Sequence, residues 1–262
     1  MSPSLLTLDG INKSFGPVGV LHDVAFSVEA GDVVALVGDN GAGKSTLVKC
    51  IAGIHPVDSG TFRFEGDAVT LRDPRAAAEL GIEVVYQDLA LADNLDIVQN
   101  MFLGREQGST WYLDEETMEE QARSALASLS VRTISSVRQP VSALSGGQRQ
   151  TVAIAKSVLW ESKVILLDEP TAALGVAQTR QVLDLVRRLA EQGRGVVLIS
   201  HNLADVFEVA DRIAVLYLGR LVAEVKTSEV THSQVVQLIT TGRSDDLGSG
   251  RPETSASSHH LT

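Results

Sequence analysis

Residues 38–45 have the residue types and spacing of a phosphate-binding loop. They read Gly-Asp-Asn-Gly-Ala-Gly-Lys-Ser and fit the pattern G-x-x-x-x-G-K-[ST]. In such a loop, backbone N–H groups and the N-terminus of the following helix face a phosphate. Lys44 then bridges the β- and γ-phosphates of a nucleotide, and the Ser45 hydroxyl ligates Mg²⁺. The predicted nucleotide contacts are Gly38, Asn40, Gly41, Ala42, Gly43, Lys44, Ser45 and Thr46.

Two adjacent carboxylates, Asp168 and Glu169, follow the apolar run 164–167. The end of a buried strand is where a carboxylate can hold Mg²⁺ through its water shell, which is the role predicted for Asp168. Glu169 is predicted to be the general base for an attacking water, or to orient that water. A solvated pair of charges is the alternative, and the phosphate loop upstream disfavours it.

A second glycine-rich segment, residues 144–148, reads Leu-Ser-Gly-Gly-Gln. Its successive glycines can expose backbone N–H groups to an anion, which predicts nucleotide contacts at Ser145, Gly146, Gly147 and Gln148. Ser145 and Gln148 also have the S-x-x-Q spacing of a capping box, so a well-capped helix running towards Leu159 is the alternative. Because one nucleotide site needs only one such cradle, the second suggests a site that another ATP-binding domain closes.

An α/β core must hold these groups together. Short apolar runs predict the strands of a largely parallel, buried sheet at 33–37, 82–86, 164–167, 196–200 and 213–216. Helices are predicted between them, among others at 45–52 and 178–191. The phosphate loop thus follows a strand and opens a helix, which disfavours the alternative of a structural glycine turn. Segments 5–9, 25–28 and 61–64 predict an N-terminal antiparallel β subdomain.

From about residue 88 to residue 155, helical patterning replaces the strand rhythm. Asp114 can cap a helix with the apolar side chains of one face at Met118, Ala122, Ala125 and Leu129. We therefore predict a P-loop NTPase domain over residues 1–242, with its core at about 1–87 and 156–242 and an inserted helical subdomain at about 88–155. Residues 243–262 are poor in apolar side chains and predict a disordered tail.

The order and spacing of five segments resemble the ATP-binding subunit of ABC transporters. These segments are residues 38–45, Gln87, residues 144–148, residues 165–170 and His201. The likeness covers about residues 5–242 and implies ATP and Mg²⁺ as cofactors. It also implies a head-to-tail sandwich of two ATPase domains. Each ATP then lies between the phosphate loop of one domain and residues 144–148, the signature motif, of the other.

The resemblance implies roles for three isolated side chains. Gln87 is the lid residue that senses the γ-phosphate and Mg²⁺, and His201 hydrogen-bonds the γ-phosphate in the transition state. Phe15 stacks on adenine. Taken alone, a His at a strand end is usually structural, and a Phe beside a strand is equally a core residue. The expected catalytic set is Lys44, Gln87, Glu169 and His201, and the expected metal ligands are Ser45, Gln87 and Asp168.

One position departs from the family pattern. The loop after Pro170 usually ends in an Asp that communicates between the two sites, and here Gly175 occupies that place. The residues around the motifs resemble those of bacterial importers of simple sugars such as ribose, xylose and fructose, many of which fuse two ATPase domains. Because this chain has one phosphate loop, we expect a homodimer, or pairing with a separate ATPase subunit.

In the family, ATP hydrolysis is coupled to membrane permease subunits through a groove beside the lid glutamine. A solute-binding protein delivers its cargo to those subunits. The corresponding segment here is residues 86–103, which contains Leu91, Leu95, Ile97 and Phe102. Ordinary core packing is the alternative interpretation of these apolar side chains.

The chain has 262 residues and a net charge of −11, which argues against broad binding to nucleic acid or anionic lipid. Cys50 is the only cysteine of the sequence, which excludes an internal disulfide. No apolar run reaches the length of a membrane helix and no signal peptide is evident, so we expect a reduced cytosolic protein attached peripherally to the cytoplasmic face of the membrane.

Two other classes of protein fit the same residues less well. A non-transport ABC ATPase acting on nucleic acid would favour basic patches, a long coiled coil or extra domains, and the acidic sequence has none of these features. A stand-alone P-loop kinase or hydrolase would leave residues 144–148 without a purpose.

Overall fold

The protein is described by a computed structural model over residues 4–109, 112–131 and 133–243. Its strands are β1 (Ser4–Phe15), β2 (Val18–Glu29), β3 (Val33–Val37), β4 (Ser59–Phe64), β5 (Asp67–Val69), β6 (Ile82–Val85), β7 (Gly108–Ser109), β8 (Tyr112–Leu113), β9 (Val164–Asp168), β10 (Gly195–Ile199), β11 (Arg212–Tyr217) and β12 (Arg220–Lys226). Its helices are α1 (Lys44–Ile51), α2 (Pro74–Glu79), α3 (Ile97–Phe102), α4 (Glu115–Ser128), α5 (Gly146–Leu159), α6 (Val176–Glu191), α7 (Leu203–Val209) and α8 (His232–Thr241).

Six strands form a central sheet in the order β12-β11-β3-β10-β9-β6. The strands from β11 to β6 are parallel to their neighbours, and the edge strand β12 pairs antiparallel with β11. The five strands predicted for this sheet are confirmed, and each observed end lies within one residue of its expected position. The carboxyl ends of β3, β10 and β9 therefore lie side by side at one edge.

A second, antiparallel sheet has the order β2-β1-β4-β5 and confirms the predicted N-terminal β subdomain. Successive residues of a strand point to opposite faces, and those of β3 divide accordingly between two apolar cores. Val34 and Leu36 pack with the antiparallel sheet and α1, whereas Val33, Ala35 and Val37 pack with helices α3 to α6. The central sheet is thus covered on both faces, which explains why its strands are continuously apolar.

Helix α4 and most of helix α5 lie within the segment predicted to be helical. The Asp114 carboxylate caps α4 by accepting from the Thr117 N–H at 3.1 Å, as the sequence predicts. The predicted apolar face of that helix is buried at Met118, Ala122, Ala125 and Leu129. Helix α5 runs without a break across residue 155, so the core and the helical segment share this element. The division into core and inserted subdomain stays a prediction.

Helix α8 is the last element of the described residues. Its C-cap is Gly242, whose φ of 70° lies in the left-handed region that favours glycine. Apart from Arg243, the disordered tail predicted for residues 243–262 lies outside the described residues.

Candidate active site

A cavity of about 360 Å³ lies at the carboxyl ends of β3, β9 and β10, the edge of a parallel sheet where ligands bind. The lining residues are Val20, Asn40, Gly41, Gly43, Lys44, Ser45, Thr46, Gln87, Asp168, Glu169 and Ile199. The fold therefore brings the phosphate loop, Gln87 and the two carboxylates together, although they are far apart in sequence.

Three glycines of the phosphate loop, Gly38, Gly41 and Gly43, have positive φ, and at Gly38 and Gly43 a Cβ would also meet a neighbouring atom at close range. At Gly38, φ is 158° and a Cβ would lie 2.3 Å from the Leu216 carbonyl oxygen. At Gly43, φ is 107° and a Cβ would lie 3.0 Å from Leu21 Cδ2. Gly43 is also the N-cap of α1, so the first N–H groups of the helix have no carbonyl partner within it and are available to an anion.

Two predicted contacts of the loop lie beneath it rather than on the cavity wall. Gly38 abuts the backbone of β11, and Ala42 is buried with the core that α1 shares with the antiparallel sheet. By contrast, Gly41 lines the cavity and has open space where a Cβ would be. A ligand can therefore approach the backbone of the loop closely at Gly41.

Lys44 bends back onto the loop that precedes it. Its Nζ donates to the carbonyl oxygens of Gly38 at 2.7 Å and Asp39 at 3.0 Å. Burial lowers the pKa of Lys44, and the charges of Glu169, Asp39 and Asp168 partly oppose that effect. A negative ligand beside Lys44 would likewise favour the charged form of the ammonium group.

Asp168 ends β9 and is half-buried beside the cavity. Burial raises the pKa of its carboxyl and the charge of Glu169 raises it further, whereas Lys44 and Lys49 oppose both effects. A bound cation would favour the ionised carboxyl. The Ser45 hydroxyl and the Gln87 amide line the same cavity, and such oxygen donors with one or two carboxylates and substrate phosphates are what Mg²⁺ uses in proteins. The residues present therefore fit a magnesium ion.

Glu169 and His201 contact each other directly. His201 Nδ1 lies 2.5 Å from Glu169 Oε2, and the Glu169 N–H donates to the Ile199 carbonyl oxygen at 2.9 Å. Glu169 has a φ of 53°, which is uncommon for a residue other than glycine. Its side chain is 17% exposed and that of His201 is 74% exposed. Among the described residues His201 is outside the cavity lining, and it reaches the site through Glu169.

The signature motif begins helix α5, outside the cavity. The Ser145 hydroxyl accepts from the Gln148 N–H at 3.3 Å, and Gln148 Oε1 accepts from the Ser145 N–H at 2.9 Å, which confirms the predicted capping box. Gly146 is exposed, whereas a Cβ at the buried Gly147 would lie 3.0 Å from Gln178. In the described part of the chain, the cavity lining includes none of the motif's predicted contacts. One chain therefore does not bring its two glycine-rich segments together.

Gln87 and Phe15 occupy different surroundings. Gln87 is exposed and lines the cavity. Phe15 ends β1 and is 43% exposed, so it is not a core residue. Its ring meets the His55 ring edge-on with centroids 5.1 Å apart, and Lys13 Nζ lies 5.3 Å from its centroid. Phe15 is not among the described residues that line the cavity.

Gly175 is the N-cap of α6 and has no structural need to be glycine. Its φ of −74° is available to any residue. The nearest atom to a Cβ built there is Gln178 Oε1 at 4.0 Å. An aspartate would therefore fit at this position without strain.

The segment 86–103, predicted to meet a membrane subunit, is divided between core and surface. Ile97 and Phe102 are buried, as the core alternative predicts, whereas Leu91 and Leu95 are partly buried. The segment is tied to the residues before the signature motif, because the Val141 N–H donates to the Leu95 carbonyl oxygen at 3.0 Å.

Several residues of the site lack a sequence signal of their own. Val20 and Ile199 form part of the cavity wall, and the buried Asp205 accepts from the Thr171 hydroxyl at 2.6 Å. Ile199 could be found from its place near the end of the predicted strand 196–200. Val20 could not, since it reaches the cavity through the packing of the β1–β2 hairpin against the phosphate loop.

A phosphate loop between β3 and α1, with Asp168 at the end of a parallel strand of the same sheet, defines a P-loop nucleotide-binding protein. Residues 21–172 match the family described as ABC transporter. The xylose/arabinose import ATP-binding protein XylG of Sulfolobus acidocaldarius is 46% identical over 236 residues, which are 90% of this chain and 94% of that protein. The fructose import ATP-binding protein FrcA of Rhizobium meliloti is 45% identical over 243 residues, with the same shares of the two chains.

Two solved structures share the fold. A nucleotide-free ATP-binding cassette from an ABC transporter is 28% identical, with a TM-score of 0.77 over 85% of this chain and 91% of the other. The ADP conformation of an ATP-binding cassette of an ABC transporter is 26% identical, with a TM-score of 0.78 over 91% and 95%. The chain belongs to the ABC transporter family as an ATP-binding subunit with ATPase activity. None of its described helices combines the length and the hydropathy that a membrane span requires.

Proposed function

We propose that this chain hydrolyses ATP to drive import of a monosaccharide through membrane permease subunits. The cavity that gathers Lys44, Ser45, Asp168 and Glu169 is the observation that carries the ATPase part of this proposal. The names of XylG and FrcA support the class of solute, since this chain aligns with 94% of each of those import proteins.

In the proposed reaction, the phosphates of ATP lie on the phosphate loop and the adenine stacks on Phe15. Lys44 and the N-terminus of α1 neutralise negative charge on the β- and γ-phosphates. Ser45, Gln87 and Asp168 would hold Mg²⁺, which would offset further charge on the phosphate oxygens. Glu169 accepts a proton from the attacking water or orients it.

His201 has a separate part in this proposal. It donates a hydrogen bond to the γ-phosphate and stabilises the charge that develops there during transfer to water. Its contact with Glu169 at 2.5 Å keeps the base and this donor on the same side of the cavity. The exposure of its ring leaves it accessible to a nucleotide phosphate.

A second copy of the chain completes each site. The exposed Gly146 at the start of α5 lies outside the cavity of its own chain, which supports a head-to-tail homodimer. The signature motif of one protomer then covers the ATP on the phosphate loop of its partner. Because ATP contacts both protomers only in the closed dimer, it favours closure, and hydrolysis removes those contacts.

The dimer is proposed to attach peripherally to permease subunits at the cytoplasmic face of the membrane. A solute-binding protein delivers the sugar to those subunits from the other side. Leu103 is exposed and offers an apolar contact within segment 86–103. Arg149 Nη1, one residue after the signature motif, lies 3.0 Å from Asp93 Oδ1, and this ion pair joins the segment to α5.

Replacing Glu169 tests the catalytic part of the proposal. Glu169→Gln should keep ATP affinity and lower kcat by about 10²–10⁴-fold, the usual contribution of a general base. An ATP-bound dimer should then accumulate on gel filtration. Adding Gly146→Trp should abolish this dimer, because the indole would occupy the place of the ATP bound on the phosphate loop of the second protomer. The monomer should still bind ATP on its own phosphate loop.

Glu161→Gln is the matched control for this test. Glu161 is exposed and is not among the described residues that line the cavity. Its φ of 52° is close to the φ of 53° at Glu169, so the control includes any effect of the amide on this backbone conformation. It should hydrolyse ATP at the parent rate. Near-normal turnover in Glu169→Gln would remove Glu169 as the base, and a dimer that survives Gly146→Trp would rule out the shared site.

A further inference from the structure

A buried carboxylate lies behind the loops that carry Glu169 and His201. Asp205, in the first turn of α7, is 5% exposed. The Thr171 hydroxyl donates to its Oδ2 at 2.6 Å, and the Asn202 amide donates to its Oδ1 at 2.9 Å. A buried charge is costly unless it is paired or hydrogen-bonded, and here both carboxylate oxygens are held by neutral donors.

The two donors belong to the two loops of the active site. Thr171 is two residues beyond Glu169, and Asn202 directly follows His201. The same loops are joined by the hydrogen bond from the Glu169 N–H to the Ile199 carbonyl and by the contact of Glu169 with His201. Asp205 therefore adds a further link between these loops, and it is not among the described residues that line the cavity.

Helix capping alone does not account for this arrangement. Asn202 caps α7 by accepting from the Ala204 N–H at 3.1 Å, and a carboxylate in the first turn is favourable beside the helix dipole. Neither effect requires Asp205 to be buried or to bind Thr171. The loop that contains Thr171 also has a φ of 53° at Glu169 and 59° at Ala173, conformations that persist only where the surroundings fix them.

We propose that Asp205 is a positioning residue for ATP hydrolysis, because it holds the loop of Glu169 and the loop of His201 in a fixed mutual arrangement. The proposal rests on the roles proposed above for Glu169 and His201. Loss of the Asp205–Thr171 bond frees the Glu169 loop to shift relative to His201. Small misplacements of catalytic groups lower the rate of the chemical step far more than the affinity for substrate.

Asp205→Asn, Thr171→Val and the double variant test this proposal. The amide introduced by Asp205→Asn offers one acceptor oxygen where two donors need one each, and Thr171→Val removes the hydroxyl donor. Each single variant should lower kcat by at least about 10-fold and leave ATP affinity unchanged. Because both variants interrupt the same chain of hydrogen bonds from Thr171 through Asp205 to Asn202, the double variant should be no slower than the slower single variant.

The chain contains a matched control pair. Thr117 Oγ1 donates to Asp114 Oδ2 at 2.8 Å at the N-terminus of α4, outside the described cavity lining. Asp114→Asn and Thr117→Val remove the same kind of bond and should leave kcat unchanged. A second readout follows the imidazole nitrogens of His201 by NMR in the nucleotide-free full chain, with His201→Gln for assignment. These resonances should shift in the Asp205 and Thr171 variants and stay constant in the control pair.

The outcomes separate this inference from the proposed function. Parent kcat and unchanged His201 resonances in both variants, with Glu169→Gln inactive, overturn the positioning role and leave the proposed function intact. If kcat, ATP affinity and Tm fall together, the bond is merely structural and the inference fails. Near-normal turnover in Glu169→Gln rejects the proposed role of Glu169, and then the His201 resonances alone decide whether Asp205 arranges the two loops.

Discussion

Gly175→Asp, a substitution at the N-cap of the long helix α6, should stabilise the protein. Asp is a preferred N-cap residue because its carboxylate accepts a hydrogen bond from the backbone N–H groups of the first turn. Gln178 Oε1 already accepts from the Gly175 N–H at 3.3 Å, so the new carboxylate would complete a capping box. Asp96 and Gln99 form this same arrangement at the start of α3.

The size of the effect follows from the geometry. Gly175 has a φ of −74° and open space around its Cβ position, so the substitution introduces neither strain nor a clash. An Asp cap exceeds a Gly cap by a few tenths of a kcal/mol, and a negative charge at a helix N-terminus contributes about 0.3–1 kcal/mol. We therefore expect a gain of about 0.5–1 kcal/mol, or a rise in Tm of about 1–3 °C.

The other end of α6 provides a matched control. Gly193 also has open space at its Cβ position, but its φ is 84° and it follows the C-terminus of the helix. Gly193→Asp should lower stability by about 1–2 kcal/mol, since a left-handed conformation and a negative charge at a helix C-terminus are both unfavourable. Gly193→Asn carries the backbone cost without the charge and should fall between Gly193→Asp and the parent.

Thermal and urea unfolding without nucleotide would measure these changes. The reasoning is refuted if Gly175→Asp lowers Tm, or if the substitutions at the two ends of α6 change Tm in the same direction. A stabilised Gly175→Asp chain with altered ATP turnover would show that glycine at this position serves the reaction rather than the fold.

Two further predictions concern buried titratable groups. Asp168→Asn should abolish Mg²⁺-dependent ATP hydrolysis yet leave Tm at neutral pH equal to or above that of the parent. The folded-state pKa of Asp168 is raised by burial above its unfolded-state value, so its charge disfavours folding above the folded-state pKa. The difference in Tm should shrink as the pH falls below the folded-state pKa and vanish below the unfolded-state pKa; a lower Tm at neutral pH would contradict this reasoning. Burial raises the pKa of the Cys50 thiol to about 11, so the native protein should resist iodoacetamide at pH 8 and react once unfolded in urea. Equal labelling rates in the two states would contradict the burial.

Where the fold was predictable, a local pattern was sufficient. The inner strands are continuously apolar because both faces of the central sheet are covered, and α5 begins where the S-x-x-Q spacing places it. The edge strand β12 gives no such signal. Arg220, Glu224 and Lys226 interrupt its apolar residues, and none of its side chains is fully buried.

The features of the site likewise divide into those that a local sequence pattern predicts and those that only the tertiary structure brings about. The phosphate loop is a local feature, since its glycines, its lysine and its helix are contiguous in sequence. The contact between Glu169 and His201 depends instead on β9 and β10 being neighbours in the sheet, which no local pattern specifies. An Asp in the first turn of a helix is ordinarily an exposed helix-stabilising acid, so the buried contact of Asp205 with Thr171 follows only from tertiary structure.

The signature motif shows that a capped helix and a phosphate cradle are compatible, although the sequence offers them as alternatives. The capping box uses the N–H groups of Ser145 and Gln148. The N–H groups of Gly146 and Gly147 have no carbonyl partner within α5, because they belong to its first turn. Gly147 is buried against Gln178, whereas Gly146 is exposed. The cap therefore fixes the helix end and leaves Gly146 open to an anion. Because the phosphate loop of the same chain lies elsewhere, we infer that this anion is held by a second protomer.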